Sequence, residues 1–270
     1  YNQNQLILNV NSKVNNNLSL TGSYAYGRAM SDTDGLGTFP ANPYSMQGEY
    51  GPSAIDMRHR VSLSGTINIK WGIRFNPLLT ANSGPPFDIT AGRDLFGDTL
   101  FNDRPGIASD PAKPGVVRTS YGLLDPNPSP GQPLLPRNFG RGSGQIMLNM
   151  RIGRTFDFGS REGRAPISTN PGGVSGGSGG GQSGPDRGEP GSPFSLSGAT
   201  AGGGTANRRY SLVVSMQIRN LMNHTNPGPI IGNITSPLFG QANQPAGSGT
   251  AIFSESANNR RLELQMRLTF

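Results

Sequence analysis

Apolar and polar residues alternate along seven stretches of this chain. The last, RLELQMRLTF, sets Leu262, Leu264, Met266, Leu268 and Phe270 against Glu263, Gln265, Arg267 and Thr269. A period of two puts every apolar side chain on one face of a strand and every polar one on the other. The same pattern predicts strands over 5–13 (Leu6, Leu8, Val10, with Ile7 as a break) and 17–27 (Leu18, Leu20, Tyr24, Tyr26). It recurs over 60–70 (Val61, Leu63, Ile67, Ile69), 73–82 (Ile73, Phe75, Leu79, Ala81, with Leu78 as a break), 145–152 and 210–219. No stretch carries a helical period of comparable strength.

The connections alternate in length. The turns SKVNNN and KWG are short, whereas roughly 28–58, 83–144 and 220–260 are long loops. Strands of about 9–11 residues, short turns at one end and long loops at the other form the pattern of an antiparallel transmembrane β-barrel. With the long loops outside, Trp71, Phe75, Phe156, Phe158, Tyr210 and Phe270 fall at inner strand ends, and Tyr24 and Tyr26 at an outer end. Amphipathic rings gather in such interfacial girdles. A soluble antiparallel sheet with one wet face alternates in the same way, but soluble loops seldom exceed about 12–15 residues without structure of their own.

Composition bears on that choice. The 270 residues are only 33% hydrophobic and include 40 Gly and 23 Pro. A wide barrel with a wet lumen and a lipid-facing exterior needs no thick core, which reconciles alternating strands with low hydrophobicity. Absence of cysteine excludes a disulfide scaffold and a thiolate metal site. The formal charge of +7 raises nucleic-acid binding, yet the basic residues are scattered, and none is expected. The start, YNQNQLILNV, reads as already within a strand and suggests a piece of a longer protein. Residues 159–207, rich in glycine, serine and proline, read as a flexible linker on the inner side, too poor in apolar area to offset ordering its backbone.

Five blocks extend the reading: SAIDMRHRVSLSG (53–65), ANSGPPFDITAGRDLFGDTLFNDRPG (81–106), RNFGRGSGQIMLNMRIGRTFDFG (137–159), QIRNLMNHTNPGPIIGNITSPLFGQ (217–241) and the terminal strand. In this order they resemble the carboxy-terminal barrel portion of Oar-like TonB-dependent outer-membrane receptors. The resemblance implies that residues 1–270 supply about seven last strands of a plugged barrel of about 22. It implies an outer-membrane location, lipid and lipopolysaccharide as surroundings, and TonB as a partner through an amino-terminal part with no counterpart here. Energy-coupled uptake or transfer of an unknown substrate follows, with a structural or adhesive barrel as the alternative. The terminal strand is similar to the signal read by the barrel-assembly machinery, with Leu264, Met266, Leu268 and Phe270 as its apolar positions.

Candidate chemistry is sparse. The two histidines, His59 and His224, lie apart, and no nucleophile elbow or phosphate loop is present, so no enzymatic activity is expected. GRGSG at 140–144 reads as a loop hinge. Arg60, Lys70, Arg74, Arg151, Arg219 and Arg267 fall on the polar face, where they would line the lumen. They would favour anionic or acidic peptide cargo, or pair with acids of a plug. RDLFGDTLFND offers Asp94, Asp98 and Asp103, with Asn102 between them. Hard oxygen ligands in a loop suit Ca²⁺, although Asp and Asn also simply form turns. No other cofactor is suggested.

Overall fold

The computed structural model describes residues 1–160, 208–246 and 259–270. Its strands are β1 (Asn2–Asn15), β2 (Leu18–Ser31), β3 (Gly51–Pro52), β4 (His59–Asn68), β5 (Ile73–Asn82), β6 (Pro86–Phe87) and β7 (Gly106–Ile107). There follow β8 (Val117–Thr119), β9 (Gly122–Asp125), β10 (Gly140–Arg141), β11 (Gln145–Ser160), β12 (Arg208–Arg219) and β13 (Arg261–Thr269). The fold is all-β. No helix among the described residues is long and apolar enough to cross a membrane, a test that does not bear on strands that cross as a barrel.

The seven long strands join in one sheet in the order β1-β2-β4-β5-β11-β12-β13, and every pairing whose register is described is antiparallel. β1 and β13 end this order, so the sheet is open. The expected alternation is realised in the register. Leu8 lies opposite Tyr24, Tyr24 opposite Val61, Val61 opposite Ala81, and Ala81 opposite Ile146. Directly opposed residues share a face, so an apolar face runs unbroken across five strands. The polar face follows through Ser23, Ser62 and Thr80.

Both short turns lie at one end and the long loops at the other, as loop length predicts. Asn16 and Asn17 close the first hairpin, with the Asn15 side chain accepting the Asn17 amide at 2.8 Å. Trp71 and Gly72 close the second with φ of 69° and 73°. Positive φ at both central residues matches the right-handed twist of the flanking strands. Lys70 belongs to this turn and not to a strand, which corrects its expected place on the sheet wall.

Several strands outrun the alternation. β1 begins at Asn2, β2 continues to Ser31 and β11 to Ser160. Backbone pairing carries them through polar residues such as Asn2–Asn4, opposite Met30–Arg28. Gly159 and Ser160 therefore belong to β11, and the remainder of the expected linker lies outside the described residues. By contact the chain forms two units, Tyr1–Arg154 with Val214–Gln265, and Thr155–Val213 with Met266–Phe270. Within the second, Phe158 stacks on Tyr210 with ring centroids 5.6 Å apart.

Apart from Ala29 on β2, the buried apolar side chains among the described residues belong to the long loops. Ile89, Leu124, Leu135 and Ile234 form a small core in the long loops, with Phe87, Tyr121 and Phe239 packed against it. Tyr121 meets Phe87, Phe139 and Phe239 edge-on at 6.1–6.3 Å, a favoured aromatic geometry. β7, β9 and β8 make a three-stranded sheet in these loops, and β6 pairs β10. The described parts of these loops are folded, which is why their length is tolerated.

Candidate functional site

Four of the expected basic residues, Arg60, Arg74, Arg151 and Arg219, fall on the polar face. Arg60 stands opposite Ala25 and Asn82. Arg74 faces Asn68 and donates to its Oδ1 at 3.1 Å. Arg151 faces Asn76 and reaches Ser215 Oγ at 3.4 Å. Arg219 pairs with Glu263 at 3.4 Å, which partly neutralises the wall there. Lys70 sits exposed in its turn, and Arg267 is exposed on β13.

Above this face the loops are braced by ion pairs between residues far apart in sequence. The fully buried Asp56 carboxylate accepts the Ala29 amide (2.7 Å), Arg58 Nε (3.1 Å) and Arg141 Nη2. Asp34 pairs with Arg137 and accepts Asn138 and the Ala54 amide. Arg104 pairs with Glu49, and Lys113 with Asp125. Burial alone would raise the Asp56 carboxyl, but Arg141, the Ala29 amide and Arg58 outweigh it and hold the pKa below the usual carboxylate value. Asp34 is held down in the same way, by the Ala54 amide, Asn138 and Arg137. Asp88 is pushed up, chiefly by burial. Arg104 is pulled down to about 10 by burial and by Arg137.

These braces redefine GRGSG. Gly140–Arg141 pairs with Pro86–Phe87, and Arg141 is clamped on Asp56, so the segment is pinned and does not act as the expected hinge. None of Asp34, Asp56, Arg137 or Arg141 stands out in the sequence. With charged residues at 14%, loop acids and arginines are few enough to suggest pairing, but partner choice depends on loop register.

A cleft of about 370 Å³ opens beside the braces, lined mainly by Ile55, Met57, Pro86, Phe87, Pro229 and Ile230. Gln145 and Ser83 are among its polar lining residues. The Ile55 carbonyl on its wall accepts Arg60 Nη2 at 3.1 Å, so the cleft adjoins the basic face. Backbones meet closely here: a Cβ on Gly84 would lie 1.8 Å from the Gly142 carbonyl oxygen. His59 heads β4 with its ring against Tyr24 and Tyr26, and Nδ1 lies 2.8 Å from the Tyr24 hydroxyl. His224 is remote from it, held by Asn220.

The acidic loop departs from the expected ligand set. Asp94 turns back on its own loop and accepts the amides of Gly97 (2.6 Å), Asp98 (3.1 Å) and Thr99 (2.9 Å). Its pKa is lowered, first by the Thr99 amide. Asp103 is fully buried and accepts the Leu95 amide. Among the described residues no group of three or more His, Cys, Asp or Glu side chains is arranged to hold a metal.

A family model described as an outer membrane beta barrel domain matches residues 1–165, more than half of the chain. The chain belongs to the outer membrane β-barrel family. No curated protein and no solved structure matches it. This outer membrane β-barrel is located in the bacterial outer membrane. In β13, Leu264, Met266 and Leu268 are 66%, 68% and 55% exposed, and Phe270 just after it is 91% exposed. In water such an edge strand would template aggregation, whereas a bilayer gives such side chains an apolar solvent.

Proposed function

We propose that this barrel wall serves a TonB-dependent receptor of the Oar-like type, in energy-coupled uptake or transfer of a substrate. The observation that carries the reading is the apolar cleft held by ion-paired long loops and adjoining the basic face. A braced, mostly preformed pocket with few polar groups suits ligand capture, and the arginines below it would draw anionic or acidic peptide cargo inward. The ordered resemblance of five blocks supports the same class. Arg60, Arg74, Arg151 and Arg219 are its lumen-lining residues, lipid and lipopolysaccharide its surroundings, and TonB its energy-coupling partner. Leu264, Met266, Leu268 and Phe270 are the positions read by the assembly machinery. No catalytic step is proposed.

An adhesive barrel is the second reading, favoured by Leu36, Phe39, Tyr44 and Met46 exposed on the first long loop. Deleting the gene and deleting TonB in the native bacterium separates the two. A receptor gives the same nutrient-specific growth defect in both strains, on media limited to peptide, oligosaccharide or chelated iron. An adhesive barrel gives a surface-attachment defect that loss of TonB does not reproduce.

A further inference from the structure

Three buried acceptor oxygens within residues 98–103 of one loop lack a donor. Among the described residues, Asp98 Oδ2, Asn102 Oδ1 and Asp103 Oδ1 have no hydrogen-bond partner. Asp103 is fully buried, and its other oxygen is fixed by the Leu95 amide. The Asn102 amide is oriented by its nitrogen, which donates to the Phe39 and Pro40 carbonyls at 3.1 and 3.2 Å. Its oxygen is thereby left as a free acceptor.

No ion pair among the described residues involves Asp94, Asp98 or Asp103. Asp103 is instead raised, first by burial and further by Asp98 and Asp94. Buried acceptors and unpaired charge are costly unless something compensates them. One water donates two hydrogens, so it cannot serve three acceptors or neutralise two carboxylates. A hard cation does both.

We propose that residues 98–103 bind Ca²⁺ through Asp98, Asn102 and Asp103, with Asp94 capping the loop and not ligating. Three protein oxygens leave room for carbonyl or water ligands, which the variable coordination of Ca²⁺ accepts and the strict octahedron of Mg²⁺ does not favour. Because Asn102 and Arg104 hold the first long loop through Phe39, Pro40, Gly48 and Glu49, the ion stiffens the contact between two outer loops. The proposal is independent of the transport reading.

The test is calorimetric titration of the full chain, folded in detergent and stripped with chelator, with CaCl₂. One ion per chain is expected, with a dissociation constant of about 10⁻⁴–10⁻³ M, as in extracellular modules. The double substitution Asp98→Asn with Asp103→Asn weakens it at least about tenfold, and Asp110→Asn on another turn leaves it unchanged. In the unsubstituted protein, CaCl₂ slows protease cleavage within 93–104, and MgCl₂ at equal concentration does not. Absence of both heat and protection at about 10 mM CaCl₂, equal binding by the double variant, or equal protection by Mg²⁺ would each overturn the proposal.

Discussion

Replacing Asp56 by Asn keeps the shape of the side chain and removes its charge. Oδ1 still accepts the Ala29 amide, but an amide nitrogen can face Arg58 and Arg141 where a carboxylate oxygen stood. Breaking a buried ion pair costs about 3–5 kcal/mol. Both arginine side chains are 35% exposed, so water recovers part of this, leaving about 2–3 kcal/mol. At about 1.4 kcal/mol per factor of ten, the brace opens roughly 30 to 150 times more often. The loss is local, because the sheet below keeps its register. Hydrogen exchange of the detergent-folded protein reads it directly, as faster exchange over residues 53–58 and 137–142 with β4 and β5 unchanged. Exchange within about threefold of the unsubstituted protein would refute the assignment of the brace to Asp56. The pH dependence has a definite sign. Asp56 and Asp34 have folded pKa values below the usual one, so their stabilisation is present above the unfolded value of about 3.9. It is lost as pH falls through the folded values. Asp88, raised by burial, runs the other way: its contribution is present at low pH and is lost as pH rises through its folded value.

Three further outcomes are expected. Trp71→Asn relieves a left-handed conformation that costs a non-glycine residue about 1–2 kcal/mol and raises stability in micelles by roughly half of that; an unchanged or lower urea midpoint would mean that interfacial anchoring by the ring outweighs the strain. Gly84→Ala drives a methyl into the Gly142 carbonyl and costs about 1–3 kcal/mol, seen as protease cleavage of the loops, whereas Gly153→Ala, which meets only ordinary contacts beginning at Ser215, leaves cleavage unchanged. Phe270→Ala lowers the amount of heat-modifiable, folded barrel in the outer membrane several-fold while leaving detergent refolding of purified chain intact; equal loss in both assays would mean that the residue stabilises the fold and is not an assembly signal.

What the sequence made legible was what depends on period and on local turns. Segment 73–82 coincides with β5 to the residue because both ends are marked, by Gly72 and by the polar run after Ala81. The ends of β1, β2 and β11 were less visible, since Asn2–Asn4 and Gly27–Ser31 pair through backbone and leave no alternation to read. The loop strands β3 and β6–β10 have two to four residues each, too few for alternation to mark them, and apart from the local β8–β9 hairpin they pair with segments well removed in sequence. The basic face followed from parity alone, apart from Lys70, where a turn interrupts the count. The Asp56 and Asp34 braces were invisible for a different reason. An aspartate in a loop has the same local signal whether it caps a turn, as Asp94 does, or holds an arginine 85 residues away, as Asp56 does.

The separation of those pairs has a kinetic consequence. Asp34 and Asn138 are 104 residues apart, and Asp56 and Arg141 are 85 apart, whereas the β1–β2 and β4–β5 hairpins close over two and four residues. Contacts of long sequence separation form late, because chain entropy must be surrendered before they contribute. The hairpins can therefore zip while the loops are still uncompacted polypeptide, and the arginine–aspartate clasps lock only after the strands have taken their places. A chain that must cross the periplasm and thread into a bilayer keeps its bulkiest globular part unassembled until the crossing is over.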